Sequence, residues 1–284
     1  MNKNICIVGL GLIGGSLGMA IKKHKLGRVM GLTRDKAKAA MAIKMNAVDY
    51  ASRNIKGIIQ GSDIVFICYP IHLIVPEIKK IIQFVKPGTI ITDVGSTKEW
   101  IVKEAEKIIP KNVFFVGGHP MAGKEKTGLE HAEADLFEGK KYILTKTGKT
   151  NIKALNALKE LLKKIGADVI ILDPKKHDGC VAGISHLTVA VAASLIDEVM
   201  SAGKFKPLME QLASSGFRDA TRIASGESDL GTDMFMTNKE AILAHLKIFK
   251  KSLAKIEALI KKGDPKEIKL KLSRIKAFRD SIYK

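Results

Sequence analysis

Hydrophobic and polar positions follow two different regimes along the chain. Over the first half, short β-branched runs alternate with stretches whose apolar residues recur at helical spacing. Residues 5–8, 28–32, 64–68 and 89–92 read as strands, and 12–21, 35–44 and 74–84 as the helices between them. Strands that are apolar on both faces, separated by helices, predict a parallel sheet covered on each side. Residues 113–116, 142–144 and 169–172 add three strand-like runs, with an amphipathic helix over 152–165. After Pro174 the texture changes. Residues 183–200, 208–213, 239–262 and 265–283 carry Ala/Leu/Ile periodicity, and no strand-like run interrupts them. The expected architecture is α/β: an N-terminal doubly wound sheet over residues 1–172 and an all-helical domain over 173–284, packed directly together.

The first strand opens onto Gly9-Leu10-Gly11-Leu12-Ile13-Gly14 and then a helix. This is the setting in which a G-x-G-x-x-G string marks a dinucleotide site of the Rossmann type. Gly9 permits the turn, Gly11 admits a pyrophosphate, and Gly14 lets helix and strand approach; Leu12 and Ile13 supply N–H groups at the helix start. The second strand ends in Thr33-Arg34 rather than an acid. A hydroxyl and a guanidinium suit a ribose 2′-phosphate, so the expected cofactor is NADP, with NAD left open by Asp35 next in line.

Composition narrows the partners. The 284 residues carry a formal charge of +19, which invites a polyanion. Only seven of the 48 cations are arginine and aromatics are 5%, so stacking platforms and guanidinium forks are scarce. Residues 241–284 hold 13 basic and four acidic side chains, mostly lysines at helical spacing, the pattern of a solvated helix face. Nucleic acid is therefore not expected as a partner. Cys6, Cys68 and Cys180 are too few and scattered for a disulfide framework or zinc site, and no metal is expected. The N-terminal apolar run is broken by ordered glycines, unlike a secretory signal. No uninterrupted apolar stretch reaches 18 residues, so no membrane span and a cytoplasmic location are expected. A length of 284 leaves room for two domains and no further module.

Four polar segments lie outside the apolar pattern: 93–98 (DVGSTK), 118–125 (GHPMAGKE), 184–187 (ISHL) and 216–222 (GFRDATR). The first two directly follow strands, where open α/β sheets place their ligand crevice. Residues 118–123 read as a Gly/Pro-punctuated loop presenting His119. In order and separation these segments resemble the prephenate/arogenate dehydrogenase family of tyrosine biosynthesis, from the glycine loop to about Asn238. The GHPMAG and GFRDxTR strings are its most diagnostic parts.

The resemblance implies an oxidoreductase that removes hydride from a cyclohexadienyl ring alcohol to a nicotinamide, with loss of the ring carboxylate as CO2. It implies His119 as the base, Ser96 as the residue orienting it, and Arg222 as the cation for a substrate carboxylate. Glu125, Lys126 and Gly216 match segments near the substrate, and His186 matches the first histidine of an S-H-L-P-H string. His177 lies in a matching His-Asp pair but, beside Lys175 and Lys176, reads as a helix-start residue. A homodimer through the helical domain is also implied. Three departures matter: Thr188 and Val189 replace Pro and the second His, and Gly231 stands where many members have Trp. These, with Thr33-Arg34, resemble NADP-using arogenate enzymes, whereas Glu125 resembles prephenate users. Two other readings stay open. One is a different two-domain dehydrogenase of the β-hydroxyacid or imine reductase type. The other is a non-enzymatic nucleotide-sensing or nucleic-acid-binding protein.

Overall fold

The first strand sets the sheet. In the computed structural model, which describes residues 3–124 and 126–283, β1 (Lys3–Val8) leads into α1 (Leu12–Lys23). Then follow β2 (Gly27–Leu32), α2 (Lys36–Lys44), β3 (Tyr50–Ser52), α3 (Ile55–Gln60), β4 (Ile64–Ile67) and α4 (Ile71–Ile81). β5 (Ile90–Asp93), α5 (Glu99–Ile108) and β6 (Phe114–Val116) complete the layer. The strands are parallel in the order β3-β2-β1-β4-β5-β6. Alternate side chains serve opposite cores. Ile5, Ile7, Ile64 and Phe66 face Leu17 and Ile21 on one side. Cys6, Val8, Val65 and Ile67 face Ile74 and Ile78 on the other. This double burial is why the strands are apolar throughout rather than alternating. The strand order reverses between β1 and β4, which opens the crevice at their carboxyl ends.

β3, α3 and α5 lie outside the expected elements. β3 has three residues and α3 six, too short for a periodic signal. α5 lacks a local cap: its first N–H groups, from Lys98 and Glu99, donate to Asp178, 2.7 and 2.8 Å away. That partner lies 79 residues downstream of Glu99, beyond any local reading.

A second, three-stranded sheet holds the segment expected as a loop. β7 (Gly118–Pro120) pairs antiparallel with β8 (Lys141–Thr145), placing His119 opposite Ile143. α6 (Ile152–Lys164) returns to β9 (Asp168–Leu172), parallel to β8. Residues 118–120 are thus strand, because their backbone groups are taken up by β8. His119 is held in a sheet rather than on a flexible connection.

From Pro174 the chain is helical. α7 (Pro174–Val181), capped by Asp173, passes through a π turn at Ala182–His186 into α8 (Leu187–Met200). α9 (Lys206–Leu212), α10 (Ser215–Thr221), a 3-10 turn at Arg222–Ser225 and α11 (Ser228–Thr237) follow. The run Pro174–Met200 is long and apolar enough to cross a membrane by length and composition. It nevertheless carries the buried His177, Asp178 and His186, and packs against α5. α11 is tied to the first layer by Asp233, 2.8 Å from His72 Nδ1, and by a 2.9 Å bond between Thr237 and Thr97. Through such ties everything to Lys239 forms one compact unit.

Residues from Glu240 form a second unit. α12 (Lys239–Lys262) and α13 (Pro265–Ile282) are joined at Gly263, and Asp264 caps α13. All their lysines but the half-buried Lys271 are exposed, and so are Leu253, Ile260, Leu270 and Phe278.

Candidate active site

The glycine loop is built for close approach. Gly9 has φ +99°, and a Cβ on Gly14 would stand 2.1 Å from the Gly9 carbonyl oxygen. Gly11 is different: a Cβ there meets nothing within 4 Å. Gly11 is the N-cap of α1 and its first turn has no acid, so the N–H groups of Leu12 and Ile13 head an open space. The donors and the room suit the phosphates of a dinucleotide. At the end of β2, Arg34 is exposed. The Asp35 carboxylate is committed elsewhere, accepting from Lys38 N at 3.0 Å as the cap of α2.

Beyond β6, His119 joins a buried relay. Its Nδ1 lies 2.8 Å from His177 Nε2, and His177 Nδ1 lies 2.7 Å from Asp178 Oδ1. Asp178 accepts two backbone N–H bonds from the start of α5, so it presents only acceptor capacity to His177. His177 Nδ1 then carries a proton toward Asp178, and its Nε2 faces His119. A bond donated by His119 Nδ1 to His177 Nε2 would leave the His119 Nε2 lone pair unused. Burial pushes His119 well below the ordinary histidine range, with His177, Lys98 and His186 adding in the same direction. The ring is held in its neutral form near pH 7.

His119 lines a cavity of about 620 Å³ between the second sheet and the helices. Ser96, Met121, Gly123 and Lys124 line it from the sheet side, and Ser185, Val189, Arg222, Glu227 and Gly231 from the helical side. The cavity brings together a histidine, two cations and an acid, with apolar walls from Leu230 and Met234. Such a site takes a ring bearing ionised groups.

Several expectations are revised. Ser96 lines the cavity, but its buried Oγ makes no hydrogen bond. The partner of His119 is His177, which sequence reasoning set aside as a helix-start residue. His186 does not line the cavity; it is fully buried, its Nδ1 3.2 Å from Asn238 Nδ2 and its Nε2 unpaired. Burial lowers it to about 4. Lys126 and Gly216 are exposed outside the cavity lining. Gly216 sits on α10, six residues before Arg222, which is exposed but lines the cavity. Glu125 lies outside the described residues. Lys124, Ser185 and Glu227 were missed, because only the fold brings them to one cavity. Among the described residues no cluster of three potential metal ligands occurs.

Comparison with known proteins gives this arrangement a context. A family model described as the prephenate dehydrogenase nucleotide-binding domain matches residues 17–171, and its dimerization-domain counterpart matches 173–274. Bacillus subtilis (strain 168) prephenate dehydrogenase is 34% identical over 99% of this chain and 76% of its own. The structure of Synechocystis arogenate dehydrogenase is 35% identical, covering 98% of this chain and 99% of that one, with a TM-score of 0.86. That of A. aeolicus prephenate dehydrogenase with hydroxyphenyl propionate and NAD+ is 32% identical over 99% of each chain, with a TM-score of 0.92.

Proposed function

The chain belongs to the prephenate dehydrogenase family, and from that membership we propose how its own residues carry out the oxidative decarboxylation of prephenate or arogenate. The rival dehydrogenase types and the non-enzymatic reading give way, since the matched domains span both halves of the chain. The observation that carries the reading is the Asp178–His177–His119 relay opening on a cavity that also holds Arg222.

His119 Nε2 takes the proton of the ring hydroxyl. A bound nicotinamide supplies the acceptor for the hydride on the alcohol carbon. The ring carboxylate then leaves as CO2 and its electron pair enters the ring, giving a phenolate. His119 returns its proton to that oxygen, so the residue ends as it began. Arg222 holds a carboxylate, since a guanidinium forks onto its two oxygens. Ser96 lines the same cavity as His119, and its hydroxyl, which has no partner, would bond to the reacting hydroxyl once substrate is bound.

Gly9, Gly11, Leu12, Ile13 and Gly14 would hold the pyrophosphate. Thr33 and Arg34 favour NADP, and the commitment of Asp35 to capping α2 removes the nearest competing carboxylate. The product route is tyrosine biosynthesis in the cytoplasm. Residues 173–274 match a dimerization domain, and Met200, Leu212 and Ile260 are each more than 60% exposed in the single chain. A homodimer covering these helical residues follows, with the functional domain boundary near Asp173. Cofactor reduction measured with prephenate and arogenate against NAD and NADP tests the reading. Turnover with either acid is expected, fastest with NADP; no reduction in any of the four combinations overturns it.

A further inference from the structure

We propose that the buried Asp93–Lys98 ion pair is a positioning device for His119, gripping the Gly118 peptide and facing the base with a fixed cation. The inference rests on His119 being the base. Both partners are fully buried. A buried pair costs several kcal/mol per ion in desolvation, so its retention calls for further bonds. Those bonds converge on one residue. Gly118 N donates to Asp93 Oδ1 at 3.1 Å, and Lys98 Nζ donates to the Gly118 carbonyl at 2.8 Å. Asp93 Oδ2 takes the Lys98 ammonium and the N–H of Gly95 at 2.8 Å. The residue before His119 therefore has both peptide groups held by opposite charges.

Space enforces the same grip. A Cβ at position 118 would lie 2.6 Å from the Asp93 carbonyl oxygen and 3.0 Å from Thr92 Oγ1. Only glycine lets β7 come this close to the end of β5. Lys98 also joins the two halves of the site, because its own backbone N–H donates to Asp178, the far end of the relay. One residue thus ties the backbone before His119 to the carboxylate that bonds its partner ring, His177.

The charge has a second consequence. His119 is faced by His177 from α7, His186 from the π turn, and Lys98; Asp178 lies one ring away, and Lys124, Arg222 and Glu227 line the cavity. Lys98 disfavours a proton on His119. Burial pushes Lys98 down from the ordinary lysine range, and Asp93 beside it opposes that and favours the ammonium.

The test compares Lys98→Met, the double variant Asp93→Asn/Lys98→Met, and His119→Asn, each checked for fold by circular dichroism. In Lys98→Met, kcat is expected to fall about 10²-fold, the penalty of a slightly misplaced catalytic group, while cofactor KM stays within about twofold. The acidic limb of kcat/KM should move to higher pH, since a cation that opposed protonation is gone. The double variant leaves no lone buried charge; folded, it should show the same loss of kcat. A folded variant with wild-type kcat and an unmoved acidic limb overturns the proposal, as does failure of both variants to fold, which would make the pair a folding determinant. Retained turnover in His119→Asn would instead remove the base itself, so the two failures are distinguishable.

Discussion

His177 Nε2 lies 2.8 Å from His119 Nδ1, and both rings are buried. The contact decides which nitrogen of His119 can act. With Asp178 accepting from His177, a hydrogen bond donated along the relay from His119 Nδ1 would leave the His119 Nε2 lone pair unused. Asp178→Asn should disturb this from two bonds away. It presents an N–H where His177 needs an acceptor, so His177 turns its own proton toward His119. His119 then protonates on Nε2 and can no longer accept. A loss of about 10²–10⁴-fold in kcat is expected, the range of a missing general base, with cofactor KM little changed. Steady-state kinetics on the folded variant decides; wild-type kcat would separate Asp178 from the chemistry.

Arg222 occupies the 3-10 turn that follows α10 and lines the cavity. If it holds a substrate carboxylate, Arg222→Ala should remove a charge-assisted bond, about 1.5–3 kcal/mol, which corresponds to roughly a 10- to 150-fold rise in KM. Arg222→Lys should recover only part of it, since an ammonium lacks the two-pronged geometry. An unchanged KM in the alanine variant would move the anchor to Lys124.

Much of this was legible locally, and the reason is physical. The glycine loop, five of the six strands of the parallel layer and the segments bearing Ser96, His119 and Arg222 carry their signal in adjacent residues, through turn chemistry or periodicity. The relay does not. Asp178 caps α5 from 80 residues past Lys98, and His177 reaches His119 across 58. Beside two lysines, His177 has the local look of a helix start, which it also is, within the first turn of α7. The strand at Gly118–Pro120 was hidden for the same reason: its partner is β8, more than 20 residues on. Lys98 reads locally only as the end of the polar segment 93–98; its burial against Asp93 comes from the fold.

Arg34 gives a prediction on cofactor choice. It is exposed at the end of β2, and the acid after it is engaged in capping α2. Arg34→Ala should raise KM for NADP by about tenfold or more, the value of a charge-assisted bond to phosphate, while KM for NAD stays nearly constant. Equal effects on both cofactors would place Arg34 away from the 2′-phosphate.

His186 links the site to acid stability. Burial holds it neutral, lowered to about 4, whereas the unfolded ring titrates near 6.5. Between these values the unfolded chain binds the extra proton, so stability is full above about pH 6.5 and is lost as pH falls through about 4. His119, pushed down by burial, adds to the same slope. Urea unfolding midpoints should therefore drop between about pH 7 and pH 5. In His186→Leu, which removes one of the two protonation sites, the drop should be smaller even if the variant is less stable at neutral pH. A drop of the same size in both proteins would mean that His186 protonates freely within the fold.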